Sequence, residues 1–156
     1  MVHTKETPAD YAAPPERPRL RKTLAMADPQ LTHTPKRMGE AEQRVVAAFV
    51  RWLETDGWRT WTEVDHLDVL AERDGEWLRA EVKSHTGDSA GLDVDTAFGQ
   101  LLRRMGEDDD EAIRYAIVVP PASGSKVARV SQRIRSLLRI DVYIADPDTG
   151  SVEQLG

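Results

Sequence analysis

The sequence predicts a mixed α/β domain: a central sheet with helices on both faces, in the order α-β-β-β-α-β-α-β. Three observations predict it. Asp74-Gly75 joins two alternating segments between His66 and His85, a strong two-residue hairpin signal. Helical spacing of apolar residues recurs over 39–56, 93–105 and 125–138. Between the last two of these, Tyr115–Val119 is a continuous apolar run, short enough for a buried strand.

The 156 residues are 40% hydrophobic and 31% charged, which suits a soluble domain with a real core. There is no cysteine, which excludes disulfides and thiolate zinc sites and points to a reducing cytoplasm. No apolar run approaches the roughly 20 residues that span a membrane. The start has no apolar core of a secretory signal, so no membrane association is expected. The net charge of −6 argues against strong non-specific binding to nucleic acid, but it is uneven: residues 1–37 carry seven Lys/Arg against four Asp/Glu. There is no glycine-rich phosphate loop, no G-x-S-x-G elbow and no histidine set with zinc spacing. A nucleotide cofactor is not expected.

Residues 1–36 hold six of the nine prolines and show no period. They read as a disordered tail with a small basic patch at Arg17, Arg19, Arg21 and Lys22, ahead of a single domain over 37–156. From Gly39 to Asp56, Val45, Phe49, Trp52 and Leu53 recur at three and four residues, and Gly57 stops the helix. Glu42 falls on the core-facing stripe of this helix, where an acid needs a reason; Glu40 is displaced from it. Trp58–Val64 alternates as a strand. Asp93 or Asp95 caps a helix running to about Met105, with Ala97, Phe98, Leu101, Leu102 and Met105 buried and Gln100 beside Ala97 and Arg104. Arg103 and Arg104 are placed to bind backbone phosphates. Glu107–Glu111, five acids in a row, reads as a solvated loop. Pro120-Pro121 ends the apolar strand. A helix from Ser125 to Leu138 would bury Val127, Val130, Ile134, Leu137 and Leu138 and carry Lys126, Arg129 and Arg133 as a phosphate-tracking stripe. Val142–Ala145 is a strand, Asp146–Gly150 a turn and Ser151–Leu155 a short last strand.

Fixing the turn at Asp74-Gly75 fixes the register: Arg73 faces Glu76, Leu70 faces Arg79 and Asp68 faces Glu81. Leu67, Val69, Ala71, Leu78, Ala80 and Val82 then share one apolar face. Asp68, Glu81 and Lys83 share the other, with His66 and His85 continuing it. Two carboxylates about 5 Å apart across a strand pair should repel, by roughly 3 kcal/mol at an effective dielectric of about 20. Lys83 offsets part of this, and a divalent cation would offset more.

Asp68 on one strand and Glu81-Val82-Lys83 on the next, after an acid-bearing helix, resemble the PD-(D/E)xK nuclease superfamily of restriction endonucleases, archaeal Holliday-junction resolvases and repair nucleases. The resemblance covers roughly residues 38 to 146, and Leu67 stands where the motif has Pro. It implies a restriction endonuclease-like αβββαβαβ core and hydrolysis of DNA phosphodiester bonds with Mg²⁺ or Mn²⁺. Asp68, Glu81 and the Val82 carbonyl would hold the ion, which acidifies a water and clamps the phosphate. Lys83 would orient the water or stabilise charge on the phosphorane. Glu42, with Glu40 as second choice, would serve a second ion or a metal-bound water, and Gln100 would support the site. Replacing Asp68, Glu81 or Lys83 by Ala is expected to abolish cleavage and leave the fold intact or stabilised. Small superfamily members often pair, so a homodimer is compatible with the resemblance. The alternative reading is a catalytically silent binding module, or one subunit of a larger nucleic-acid-processing complex.

Overall fold

The computed structural model describes residues 38–64, 66–85, 88–106 and 112–156. The expected tail over 1–36 and the acidic run Glu107–Glu111 lie outside the described residues.

Helix α1 spans Glu40–Thr55. Its end is the glycine stop expected at Gly57, which takes φ +83°. Gly57 N donates to Glu54 O at 3.1 Å and Trp58 N to Leu53 O at 3.0 Å, the paired bonds of a Schellman turn. Strands β1 (Arg59–Val64), β2 (Leu67–Arg73) and β3 (Glu76–Val82) form an antiparallel meander. Helix α2 (Ala90–Arg104) crosses to β4 (Ile113–Val119), which lies parallel to β3. A 3-10 turn at Pro121–Ser123 leads into α3 (Gly124–Val127) and α4 (Gln132–Leu137). Strand β5 (Ile140–Ala145) is parallel to β4, and β6 (Val152–Gln154) closes the far edge antiparallel to β5. The six strands run in sequence order across the sheet.

Each face has its own core. Val45, Phe49 and Leu53 of α1 pack on Val69, Ala71, Leu78, Ala80, Val82, Ala116 and Val118. Val94, Ala97, Phe98 and Leu101 of α2 pack with Val127 on Ile113, Tyr115, Ile117, Val119 and Val142. The two crossovers therefore lie on one face and α1 on the other. Strand β4, paired on both edges and covered on both faces, buries six of its seven residues, as its apolar run implies.

The hairpin register is the expected one: Arg73 pairs with Glu76, Leu70 with Arg79 and Val69 with Ala80. Asp74 and Gly75 take φ +53° and +86°, as a type I′ turn requires. Glu72 braces this turn. Its Oε1 accepts from Gly75 N at 2.9 Å and its Oε2 from Arg59 Nε at 2.9 Å. The Gly75 amide, and then Arg59, hold the Glu72 carboxyl below its ordinary value. A carboxyl depressed in the folded state stabilises above its unfolded pKa and loses that contribution as pH falls through the folded value. Glu72→Gln is therefore expected to lower stability at neutral pH and to flatten the acid limb below about pH 4.5, as read by urea melts across pH 2.5–7.

Three expectations need correction. The helix predicted over 125–138 is two short helices, because Ser131 takes an extended backbone and its Oγ accepts from Ile134 N at 3.4 Å, starting α4 afresh. Ile134 and Leu137, expected in the core, are consequently 43% and 69% exposed. Lys126 on α3, Arg129 in the link and Arg133 on α4 do not form a stripe on one helix. Helix α2 starts at Ala90, so neither Asp93 nor Asp95 caps it, and its Leu102, expected in the core, is 44% exposed. His66 lies in the turn before β2, at φ +64° and exposed, and so does not extend the strand face.

Candidate active site

The hairpin carries Asp68 and Glu81 to its open end, where β2 begins and β3 ends. Backbone pairing runs as far as Val69 and Ala80, and the next step sets Asp68 beside Glu81. Asp68 Oδ2 accepts from Val82 N at 2.7 Å, so the aspartate is bonded to the middle residue of Glu81-Val82-Lys83. Glu81 pairs in register with Ile117 of β4, on the face covered by α2. It is 2% exposed and Lys83 6%.

Two anchors fix the chain beyond β3. Lys83 N donates to Val118 O at 2.9 Å, and buried Ser123 donates through Oγ to His85 O at 2.9 Å. His85 Nδ1 stands 2.8 Å from Asp93 Oδ2 in the first turn of α2. Asp93 therefore ties the post-strand segment to α2 rather than capping it, a use that helix-start signals in the sequence do not reveal.

Glu81 has two cationic neighbours. Lys83 Nζ lies 3.6 Å from its Oε2, and Arg104 Nη1 sits on its Oε1. Arg104 also feels the charge of Asp68, which works against the burial that pushes its guanidinium below the ordinary value. The repulsion anticipated between the two carboxylates is thus answered from within the chain. This overturns the stability expectation for Ala substitutions at Glu81: removing it would leave two cations facing each other in a buried site, which destabilises.

Arg103 is exposed, whereas its neighbour Arg104 turns inward. Gln100, one helical turn before Arg104 on α2, is half-buried, and its Oε1 has no hydrogen-bond partner among the described residues. Glu42 is buried in the first turn of α1, and Glu40 is exposed. Arg44 in the same turn pairs with Asp148 at 2.5 Å, beyond the C-terminal end of β5. Because β3, β4 and β5 are parallel, this turn lies at the sheet edge where β3 ends. Lys126 is half-buried, while Arg129 and Arg133 are exposed.

Among the described residues no group of three or more Asp, Glu or His is close enough to hold a metal ion, so Glu42 does not complete a three-acid cluster with Asp68 and Glu81. The pair by itself fits a hard divalent cation. Mg²⁺ is commonly bound through one or two carboxylates, with water and substrate filling the remaining positions. The Arg104 guanidinium stands against Glu81 Oε1, on the carboxylate that such an ion would use. No helix among the described residues is long and apolar enough to cross a membrane.

No protein-family model matches the chain, and no curated protein does. Solved structures do. An XisH family protein from Nostoc punctiforme matches with TM-score 0.53 at 21% identity, over 75% of this chain and all of that one. An fdxN element excision controlling factor protein from Anabaena variabilis matches with TM-score 0.54 at 20% identity, over 76% of this chain and all of that one. At these identities the likeness is one of fold. The six-stranded mixed sheet with helices on both faces is a restriction endonuclease-like α/β fold.

Proposed function

We propose that the chain is a PD-(D/E)xK-type nuclease that hydrolyses DNA phosphodiester bonds with Mg²⁺ or Mn²⁺. The observation that carries this reading is the burial of Glu81 and Lys83 at the open end of the hairpin, beside a half-buried Asp68 that accepts from the Val82 amide. Burying like charges is costly, and a solvated strand face would not do it. The Anabaena protein of the same fold is an fdxN element excision controlling factor, which supports DNA as the substrate and a mobile-element setting.

Asp68, Glu81 and the Val82 carbonyl would hold the ion. When bound, the ion supplies Lewis-acid polarisation of the phosphate and a water acidic enough to attack near neutral pH. Lys83 orients that water or stabilises charge gathering on the phosphoryl oxygens, with its Nζ already held 3.6 Å from Glu81. Gln100 offers a buried amide oxygen from α2, whereas Glu42, buried in the first turn of α1, is not grouped with Asp68 and Glu81. Arg103, Lys126 and Arg129 would supply phosphate contacts from α2, α3 and the link after it, whereas Arg133 stands on α4, which leads into the start of β5 at the other end of the sheet from where β3 ends.

One observation favours a second reading. Arg104 occupies the position beside Glu81 that the cation would need, as it would in a silent binding module or in a subunit awaiting its partner. The test is cleavage of supercoiled plasmid, single-stranded DNA and branched DNA with Mg²⁺, Mn²⁺ or EDTA, beside Lys83→Ala. Metal-dependent cutting lost in the variant supports the nuclease. No cutting of any substrate, with no metal-induced shift in a thermal melt, supports the binding module.

A further inference from the structure

We infer that Arg104 is an exchangeable counter-ion: it neutralises Glu81 and Asp68 in the resting protein and moves to the substrate phosphate when the divalent cation takes its place. The inference rests on the nuclease reading and extends it to how the site is loaded.

Arg104 differs from Lys83, the other cation on Glu81. The Lys83 side chain is 8% exposed and comes from the same short stretch as Glu81, so it has little freedom to leave. The Arg104 side chain is 25% exposed and stands on the last residue of α2. Met105 beyond it takes an extended backbone, so Arg104 lies on a rim rather than inside a helix. Its guanidinium contacts Glu81 Oε1, while Lys83 lies toward Oε2, so the two cations divide the carboxylate between them. A divalent ion held by Asp68 and Glu81 would need one of those oxygens, against which a guanidinium could not also sit. Of the two cations, Arg104 has the more exposed side chain, although the Nη1 that meets Glu81 is buried.

A phosphodiester gives Arg104 an equivalent partner. The planar guanidinium fork matches phosphate as well as carboxylate, which a lysine point charge does not. Transfer from Glu81 to phosphate would keep Arg104 paired throughout, free the carboxylate for the ion, and bring a positive charge to the scissile group. Metal and nucleic acid would then load together, and the protein alone would hold metal weakly. A merely structural Arg104–Glu81 pair predicts the opposite: its loss would leave Glu81 less well placed and metal binding no better.

The deciding experiment is calorimetric titration of the full chain with Mn²⁺ in the absence of DNA, for wild type, Arg104→Gln and Arg104→Met. The methionine variant keeps an unbranched side chain of similar reach in case the glutamine variant does not fold. Either folded variant is expected to bind Mn²⁺ roughly tenfold more tightly than wild type, the order that follows when a like charge leaves a partly buried site. Equal or weaker binding in the folded variants, with wild type binding Mn²⁺, overturns the counter-ion role and leaves the nuclease reading standing. Adding Glu81→Gln to either variant separates the two. If the double variant binds Mn²⁺ as well as the single one, the ion is not at Glu81, and both readings fail together.

Discussion

Glu81→Gln is expected to lower metal-dependent cleavage by about 10³-fold or more, the scale seen when a group that stabilises transition-state charge is removed. It is also expected to cost about 3 kcal/mol of stability, because deleting one member of a buried charge cluster leaves its partners exposed to one another. The partners here are Lys83 and Arg104, one on each carboxylate oxygen. Asp68→Asn should abolish cleavage at a smaller stability cost, because the amide oxygen can still accept from Val82 N. Urea melts beside plasmid cleavage separate the two effects. Glu40→Gln serves as the control: an exposed acid of the same helix turn as Glu42, with neither effect expected.

Phe49→Ala is expected to be the most damaging apolar substitution for stability, at about 3–5 kcal/mol. Phe49 is fully buried on α1, with its ring 5.9 Å from Trp52 and 5.1 Å from Tyr143. Trp52 and Tyr143 themselves stand 5.4 Å apart, so the three rings form one cluster pinning α1 to β5. Removing the central ring opens a cavity that the rigid sheet cannot close. The same contact holds the first turn of α1, with Glu42, at the sheet edge where β3 ends. The variant should therefore show a lowered denaturation midpoint in urea and, while still folded, reduced cleavage. A loss below 1 kcal/mol would mean that α1 is held mainly by other contacts.

The parts of the fold that were legible in the sequence are those set by local chemistry. Asp74-Gly75 admits the positive φ of its turn, and once the turn is placed the period of two carries every residue of β2 and β3 to its face. Gly57 reads correctly for the same reason. The unbroken apolar run of β4 announced a strand buried on both sides. What misled was periodicity without attention to caps. Val127, Val130 and Ile134 keep helical spacing straight through Ser131, whose hydroxyl restarts the helix. Similarly, the acids at Asp93 and Asp95 suggested a start for α2 that falls inside the helix, because Asp93 is engaged by His85 from another segment.

The site divides along the same line. Asp68, Glu81 and Lys83 were legible because a hairpin register is a local property and brings them together without any knowledge of the rest. Arg104 was legible only as a basic residue one turn from Gln100. Whether such a side chain reaches out to a phosphate or in to a carboxylate depends on where α2 lies over β3, and no spacing in the sequence encodes that. Arg135 shows the same limit: it is buried, bonding Val130 O, Leu155 O and Gly156 O at 3.1, 3.0 and 2.8 Å. Nothing in its neighbourhood in the sequence marks it as different from Arg133.

The most direct test of the site is a crystal of the protein grown or soaked with Mn²⁺ and a short, non-cleavable duplex, with anomalous scattering recorded to locate the ion. One peak is expected at coordination distance from carboxylate oxygens of both Asp68 and Glu81, with Arg104 withdrawn from Glu81. No peak there, with Arg104 still seated on Glu81, would contradict a metal-dependent site and leave the fold as a scaffold for binding.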